Sequence, residues 1–324
     1  MHRFVNILVH GRSEALSPRT MERLAGLARK SGATIRLMDV IEPFPWYTRL
    51  LLPGSEEFQD ILSEQAAGRL STLAKAIERK ELTITTKVAS GRPHIELIKE
   101  VLRSGHDLVV KVAEPDQSNT FGSTDMKLLR NCPCPVLLLH PEALERAFHR
   151  ILVAVDPPPA PDVTDELHLR EEITPEEQAL NVRLMNAAAG LAELDRGELH
   201  VVHAWTAPGE ELLRVEDRVA HTEVDVYVAS LGDEHRQAVE RLQAECDHGS
   251  AETHVHLIKG QPADVITAFA KEHNVDLIVM GTVVRTGIPG LLIGNTAETV
   301  FHQVECSVLA IKPATFVSPV TLDD

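Results

Sequence analysis

The chain contains one sequence twice, and the length of the repeat limits what it can fold into. Residues 91–114, GRPHIELIKEVLRSGHDLVVKVAE, run without a gap against residues 260–283, GQPADVITAFAKEHNVDLIVMGTV. Gly91 falls on Gly260, Pro93 on Pro262 and Asp107 on Asp276. After a short loop, FGSTDMKLLRNCPCPVLLL (121–139) lies over IGNTAETVFHQVECSVLAI (293–311), and at the front NILV (6–9) lies over RILV (150–153). Solenoid repeats run about 20–50 residues. Half of a 324-residue chain is far longer, and suits a complete domain of about 150 residues.

Each half alternates short apolar runs with longer helical patterns. NILVH, TIRLMDV, TITTKVAS, HDLVVKV and CPVLLL in the first half answer RILVAVD, LHVVHAW, THVHLIKG, VDLIVMG and SVLAIK in the second. Between them, PADVITAFAKEHN places Ile266, Phe269 and Ala270 on one helical face. Strands alternating with helices imply βαβ units, so each half reads as an open, doubly wound α/β domain with a five-stranded, mostly parallel sheet. The expected domains are residues 1–143 and 147–316, with 317–324 as a tail.

Two segments depart from the repeat. Pro157 to Glu177, PPPAPDVTDELHLREEITPEE, is an insertion whose prolines oppose helix and whose remainder is acidic. It reads as a flap, with a lid over a site as the sharper alternative. In the first half, EPFPWYTRLLLPG gathers Trp46, Tyr47, Leu50, Leu51 and Leu52 where a polar connection is expected. Packing against its own molecule is the plain reading; forming the wall of an apolar ligand site is the other.

Composition narrows the function. A formal net charge of −16 disfavours nucleic-acid phosphates and anionic membrane surfaces, but leaves room for a nucleotide held by a local nest of backbone N–H groups. No stretch approaches 18 apolar residues and the start lacks a signal-peptide pattern, so no membrane partner and a cytoplasmic location are expected. Cys132-Pro-Cys134 is too tight for an ordinary disulfide, and the four cysteines read as small buried hydrophobes. His254 and His256 share a strand face, but among 16 histidines such a pair is expected by chance, and no metal site is assigned. Neither a Gly-x4-Gly-Lys-(Ser/Thr) loop nor a Gly-x-Ser-x-Gly elbow is present, and no nucleophile–base pair stands out, so the chain does not read as an enzyme.

In an open α/β sheet, ligands bind beyond the carboxyl ends of the strands where strand order reverses. The second half puts Asp156 at the end of its first strand and Met280–Gly281 at the end of its fourth. GTVVRTGIPGLLIGNTAETV follows, rich in glycine and opening a helix that Asn295 or Thr296 would cap. Glycines admit a phosphate closely, and a helix N-terminus offers free N–H groups and partial positive charge.

These motifs, with ILVAVD upstream and KGQPADVI between them, resemble the universal stress protein family, in its two-domain form, over nearly the whole chain. The resemblance implies the adenine nucleotide alpha-hydrolase-like fold, a stress-response role, and ATP with magnesium as a ligand. It implies that Asp156 meets ribose, that Ala204 lies beside adenine, that Met280, Gly281 and Thr282 line the base and phosphate pocket, and that Gly294, Asn295 and Thr296 hold phosphate. Slow ATP hydrolysis is compatible with it. The family's Gly-x2-Gly-x9-Gly-(Ser/Thr) signature is incomplete: Val284 replaces the second glycine and Asn295 the Ser/Thr. A β-branched side chain at Val284 crowds that space, so the alternative is a different, partly apolar ligand or a role through protein contacts. The first half departs further. Arg12 aligns with Asp156, and Lys111–Val112 with Met280–Gly281, so it is not expected to bind a nucleotide in the family manner. The loop after Asp156 lacks the Ser-Gly-Gly pyrophosphate pattern of a synthetase or alpha-hydrolase. Family domains pair through their last strands, which implies an intramolecular pseudo-dimer, with association of two chains as a further possibility.

Overall fold

The computed structural model describes residues 4–12, 16–45, 55–78, 82–114, 121–144, 146–158, 175–215, 220–246, 249–282 and 294–323. The first half runs β1 (Asn6–His10), α1 (Pro18–Ser31), β2 (Thr34–Ile41), α2 (Ser55–Ile77), β3 (Ile84–Ser90), α3 (Pro93–Ser104), β4 (Leu108–Val112), α4 (Ser123–Asn131) and β5 (Val136–Leu139). The second half repeats it: β6 (Arg150–Ala154), α5 (Pro175–Asp195), β7 (Glu198–Trp205), the short α6 (Glu210–Val215), α7 (His221–Glu245), β8 (Thr253–Lys259), α8 (Pro262–Glu272), β9 (Leu277–Gly281), α9 (Asn295–Gln303) and β10 (Ser307–Ile311). Residues 175–177, read from sequence as the end of an insertion, are the first turn of α5.

The ten strands form one sheet in the order β3-β2-β1-β4-β5-β10-β9-β6-β7-β8. Within each half neighbours are parallel. Only β5 and β10 run antiparallel, with Leu137 opposite Leu309 and Leu138 opposite Val308. The two last strands therefore cover each other's apolar edges, the intramolecular pairing expected from sequence. Two helix layers sandwich the sheet. One core joins α1, α2, α5 and α7 to Ile7, Val9, Ile151 and Val153; the other joins α3, α4, α8 and α9 to Leu8, Val109, Leu152 and Ile278. Both cores cross the seam between the halves.

The repeated residues have local reasons. Asp107 accepts from the amides of Val5 and Asn6 at 2.7 and 3.0 Å; Asp276 accepts from those of His149 and Arg150, both at 2.9 Å. Each aspartate thus ties the entry of its half's central strand to β4 or β9. Gly91 and Gly260 hold φ of 150° and 155°, and a Cβ there would meet Glu96 or Val265 below 3.0 Å.

One equivalent region has diverged between the halves. Under α3, Glu100 is buried and bound by Arg36, Lys87 and the Ser104 hydroxyl. Burial would push its carboxyl up, but hydrogen bonds from Lys87, Arg36 and Ser104 outweigh that and bring it down to about 2. At the same positions under α8, the second half carries His200, His256, Phe269 and His273. The His200 and His256 rings lie 5.3 Å apart, with Nδ1 of one 3.1 Å from Nε2 of the other. Burial lowers the pKa of both histidines, helped by their neighbouring rings.

His10, buried on β1, is lowered further, to about 3, by burial and then by the charges of Lys111, Arg12 and Arg69. A histidine depressed in the fold leaves the unfolded chain binding more protons below about pH 6.5. Stability is therefore full above that pH and declines as pH falls towards the folded value. His10 alone accounts for about 1.4 kcal/mol per pH unit in that window. Urea unfolding from pH 7.5 to 5 is expected to show this slope, and His10→Gln to reduce it; an unchanged slope would count against the assignment.

Candidate functional site

The strand order reverses at β6, which pairs with β7 on one side and β9 on the other. The chain leaves β6 towards α5 in one helix layer and leaves β9 towards α9 in the other. The carboxyl ends of β6 and β9 thus flank a crevice.

Asp156 lies just beyond β6. Its backbone N–H donates to Asn181 Oδ1 at 2.9 Å, and Asn181 Nδ2 donates back to its carbonyl at 3.0 Å and to that of Glu177 at 3.1 Å. This amide clamp, from a residue of α5 only 5% exposed, fixes the turn, while the Asp156 side chain is 59% exposed. Sequence reading missed Asn181; its only signal is a polar residue within the buried stripe of α5. Behind Asp156, His203 is wholly buried. Its Nδ1 lies 3.0 Å from the Val155 carbonyl and 3.9 Å from Asp156 Oδ1, and its Nε2 lies 2.8 Å from His235 Nδ1. With Nδ1–H donating to Val155, Nε2 accepts from His235.

Across the crevice, Met280 is buried and Gly281 half-buried; a Cβ on Gly281 would come within 3.1 Å of Leu180. The Thr282 carbonyl accepts from Gly294 N–H at 3.0 Å, which sets the start of α9 against the end of β9. The Thr282 hydroxyl is buried and has no hydrogen-bond partner among the described residues. The cap of α9 is Gly294, where Asn295 or Thr296 was expected; Asn295 is the first helical residue, and among the described residues no side chain caps the helix. Its first-turn amides thus have no side-chain acceptor among the described residues. Ala154, Ala204, Ile258, Ala263 and Val265 at this end are half-buried, and all but Ala204 at the end of β7 pack on the second core.

The equivalent place in the first half is filled. His10 stands for Ala154, Val40 for Ala204 and His94 for Ala263, and all three are buried. Lys111, in the place of Met280, is 1% exposed and lies 2.8 Å from Asp125 Oδ1 and 3.1 Å from Glu114 Oε1. Asp125, in the place of Ala297, also accepts from Glu114 N–H at 2.9 Å and Gly122 N–H at 3.3 Å. The start of α4 thus carries its own carboxylate. Burial pushes the Asp125 carboxyl up, against the pull of Lys111. Arg12, in the place of Asp156, reaches the Val40 carbonyl at 3.4 Å and Glu42 at 3.7 Å. The structure therefore brings Asp156, Ala204, Met280, Gly281, Thr282, Gly294, Asn295 and Thr296 to one end of the second half, and closes the corresponding end of the first.

Val284, Trp46, Tyr47, Leu50, Leu51 and Leu52 lie outside the described residues, as does the insertion between residues 159 and 174. Among the described residues no group of three or more His, Cys, Asp or Glu is arranged to hold a metal ion, and no helix is long and apolar enough to cross a membrane. A cleft of about 930 Å³ opens at the opposite end of the sheet, among Arg146, His149, Arg150, Glu198 and Asp276. Its polar groups serve each other: Arg150 pairs with Glu198, and Asp276 holds backbone amides.

Residues 6–140 and 174–312 each match the model of the universal stress protein family. The chain is 30% identical over 312 residues to universal stress protein E of Escherichia coli K12, covering 94% of this chain and 92% of the relative. It is 33% identical over 221 residues to a universal stress protein E homolog of Haemophilus influenzae, covering 67% and 65%. Among solved structures, a functionally unknown protein of Pseudomonas aeruginosa PAO1 superposes with a TM-score of 0.64 at 24% identity, covering 96% of this chain and 93% of that one. A universal stress protein from Archaeoglobus fulgidus superposes with a TM-score of 0.62 at 21% identity, covering 95% and 98%.

Proposed function

The chain belongs to the universal stress protein family as a tandem of two copies, and from that premise we propose that it is a stress-response binding protein whose second half takes one adenine nucleotide while its first half serves as scaffold. The observation that carries this reading is the contrast at the two helix starts. At the start of α4, Asp125 accepts from the Glu114 and Gly122 amides and pairs with Lys111, and His10 and His94 are buried beside it; the same positions in the second half carry Ala297, Met280, Ala154 and Ala263.

Each group in the second crevice suits a part of such a ligand. The amides at Gly294, Asn295 and Thr296 present donors and partial positive charge to phosphate. The Thr282 hydroxyl is a buried group in need of a partner. Asp156, with its backbone clamped by Asn181, accepts from ribose hydroxyls or draws in the magnesium that accompanies a triphosphate. Ala154, Ala204 and Ala263 leave room for a flat base. The same groups bind and orient, and none is a nucleophile paired with a base, so the reading is a binding and signalling role and not an enzymatic one.

Thermal unfolding of the full chain with and without millimolar ATP or AMP tests it. Ligand at 100 times its dissociation constant stabilises a one-site protein by about 2.7 kcal/mol, so a rise of several degrees is expected. Asp156→Ala should keep the unliganded midpoint, because that side chain is exposed, and lose most of the rise. No rise with either nucleotide would overturn the proposal.

A further inference from the structure

The seam between the halves holds a group that the crevice does not use. Cys132 caps the end of α4, its amide bound to the Leu128 carbonyl at 2.9 Å. Pro133 then turns the chain into β5, and Cys134 Sγ comes within 3.6 Å of Cys132 Sγ. Cys132 is fully buried and Cys134 half-buried. From the other half, Lys312 follows β10 into the same region. Only 2% exposed, it donates to the Leu129 carbonyl and lies with its ammonium 5.0 Å from the Phe316 ring. Among the described residues it forms no ion pair with a carboxylate.

A buried ammonium without a counter-ion is costly, and burial lowers the Lys312 pKa to about 8 while both thiols pull it back up. The thiols respond in turn. Burial pushes Cys132 up, but the Cys134 hydrogen bond and the Lys312 charge bring it below the usual thiol value, whereas the Cys132 hydrogen bond and burial drive Cys134 well above it. Burial also drives Cys246 to about 11 and Cys306 to about 12. At the pseudo-equivalent place the second half has Val304 and Cys306, one thiol instead of two.

We infer that Cys132 and Cys134, with Lys312 as counter-ion, form a binding site for a thiophilic monovalent metal cation. Thiolate ligands select soft ions such as copper(I). A linear two-coordinate ion at metal–sulfur distances of about 2.3 Å holds its sulfurs about 4.6 Å apart, so the pair at 3.6 Å opens by about 1 Å to take one ion. A disulfide would require closure to about 2.05 Å. The step balances: one cation and two thiols give a bis-thiolate complex of charge −1 and two released protons, and the Lys312 ammonium brings the buried site to neutrality. A divalent ion such as zinc wants four ligands, and two thiols do not supply them.

The test is anaerobic titration of the reduced full-length protein with copper(I) in competition with a chromophoric copper(I) chelator. The wild type is expected to withhold one equivalent. Cys132→Ser and Cys134→Ser should each weaken retention at least a hundredfold, and Lys312→Met about tenfold, whereas Cys246→Ser should leave it unchanged. Cys134 is half-buried, so its variant stands as the test if Cys132→Ser fails to fold. Retention unaffected by Cys134→Ser, retention that depends on Cys246, or equal retention of zinc would each overturn the inference.

Discussion

Lys111→Met is expected to destabilise the protein by about 3–5 kcal/mol, the cost of leaving one member of a buried ion pair uncompensated. Lys111 and Asp125 are 1% and 0% exposed and 2.8 Å apart. Without the ammonium, the Asp125 carboxylate stays in an apolar setting with only the Glu114 and Gly122 amides to hold it. Asp125→Ala should cost less, about 2 kcal/mol, because Lys111 retains Glu114 at 3.1 Å, a side chain that reaches solvent. The double variant reproduces what the second half carries at these positions, Met280 and Ala297, both buried in its core. It is expected to recover most of the loss, so the two substitutions should be strongly non-additive. Urea unfolding of the four proteins measures this directly. Additive losses would mean that the pair is not the unit described here.

The second large effect is on binding. Ala263→His and Ala154→His place in the open crevice the side chains that fill the closed one, those of His94 and His10. Both alanines are half-buried at the edge of the second core, so the added rings are expected to be tolerated by the fold. Nucleotide affinity is expected to fall at least tenfold for either substitution and beyond detection for both, with the unliganded unfolding midpoint nearly unchanged. The thermal shift given by ATP reads the difference. A full shift in the double variant would place the ligand elsewhere.

Much of this architecture was legible in the sequence because the chain supplies its own comparison. The repeated Asp107 and Asp276, and the repeated Gly91 and Gly260, mark the strand entries and turns where one residue type is required. The apolar runs at the ends of the two halves predicted the β5–β10 seam. The places of Asp156, Gly281, Thr282 and Gly294 at strand ends and a helix start were legible, because such ends announce themselves locally. What remained hidden depends on which face a side chain takes after folding. Lys111 was visible as a replacement for Met280, but its partner Asp125 lies on a different element, and nothing in the spacing joins them. The filling of the first crevice by His10 and His94, the clamp of Asn181 on Asp156, and the burial of Lys312 against the Leu129 carbonyl at the end of α4 all arise from packing. The helix cap was misplaced by one residue for a local reason: Gly294 takes extended backbone angles before α9, so Asn295 enters the helix itself.

The proposal makes one half of this tandem open to an adenine nucleotide and the other closed. Isothermal titration calorimetry of ATP with magnesium into the full-length protein, beside the Val284→Gly variant, tests it most directly. Saturable binding at one site per chain is expected in the wild type, and equal or tighter binding at the same stoichiometry in the variant. Two sites per chain, or no heat from either protein, would contradict it.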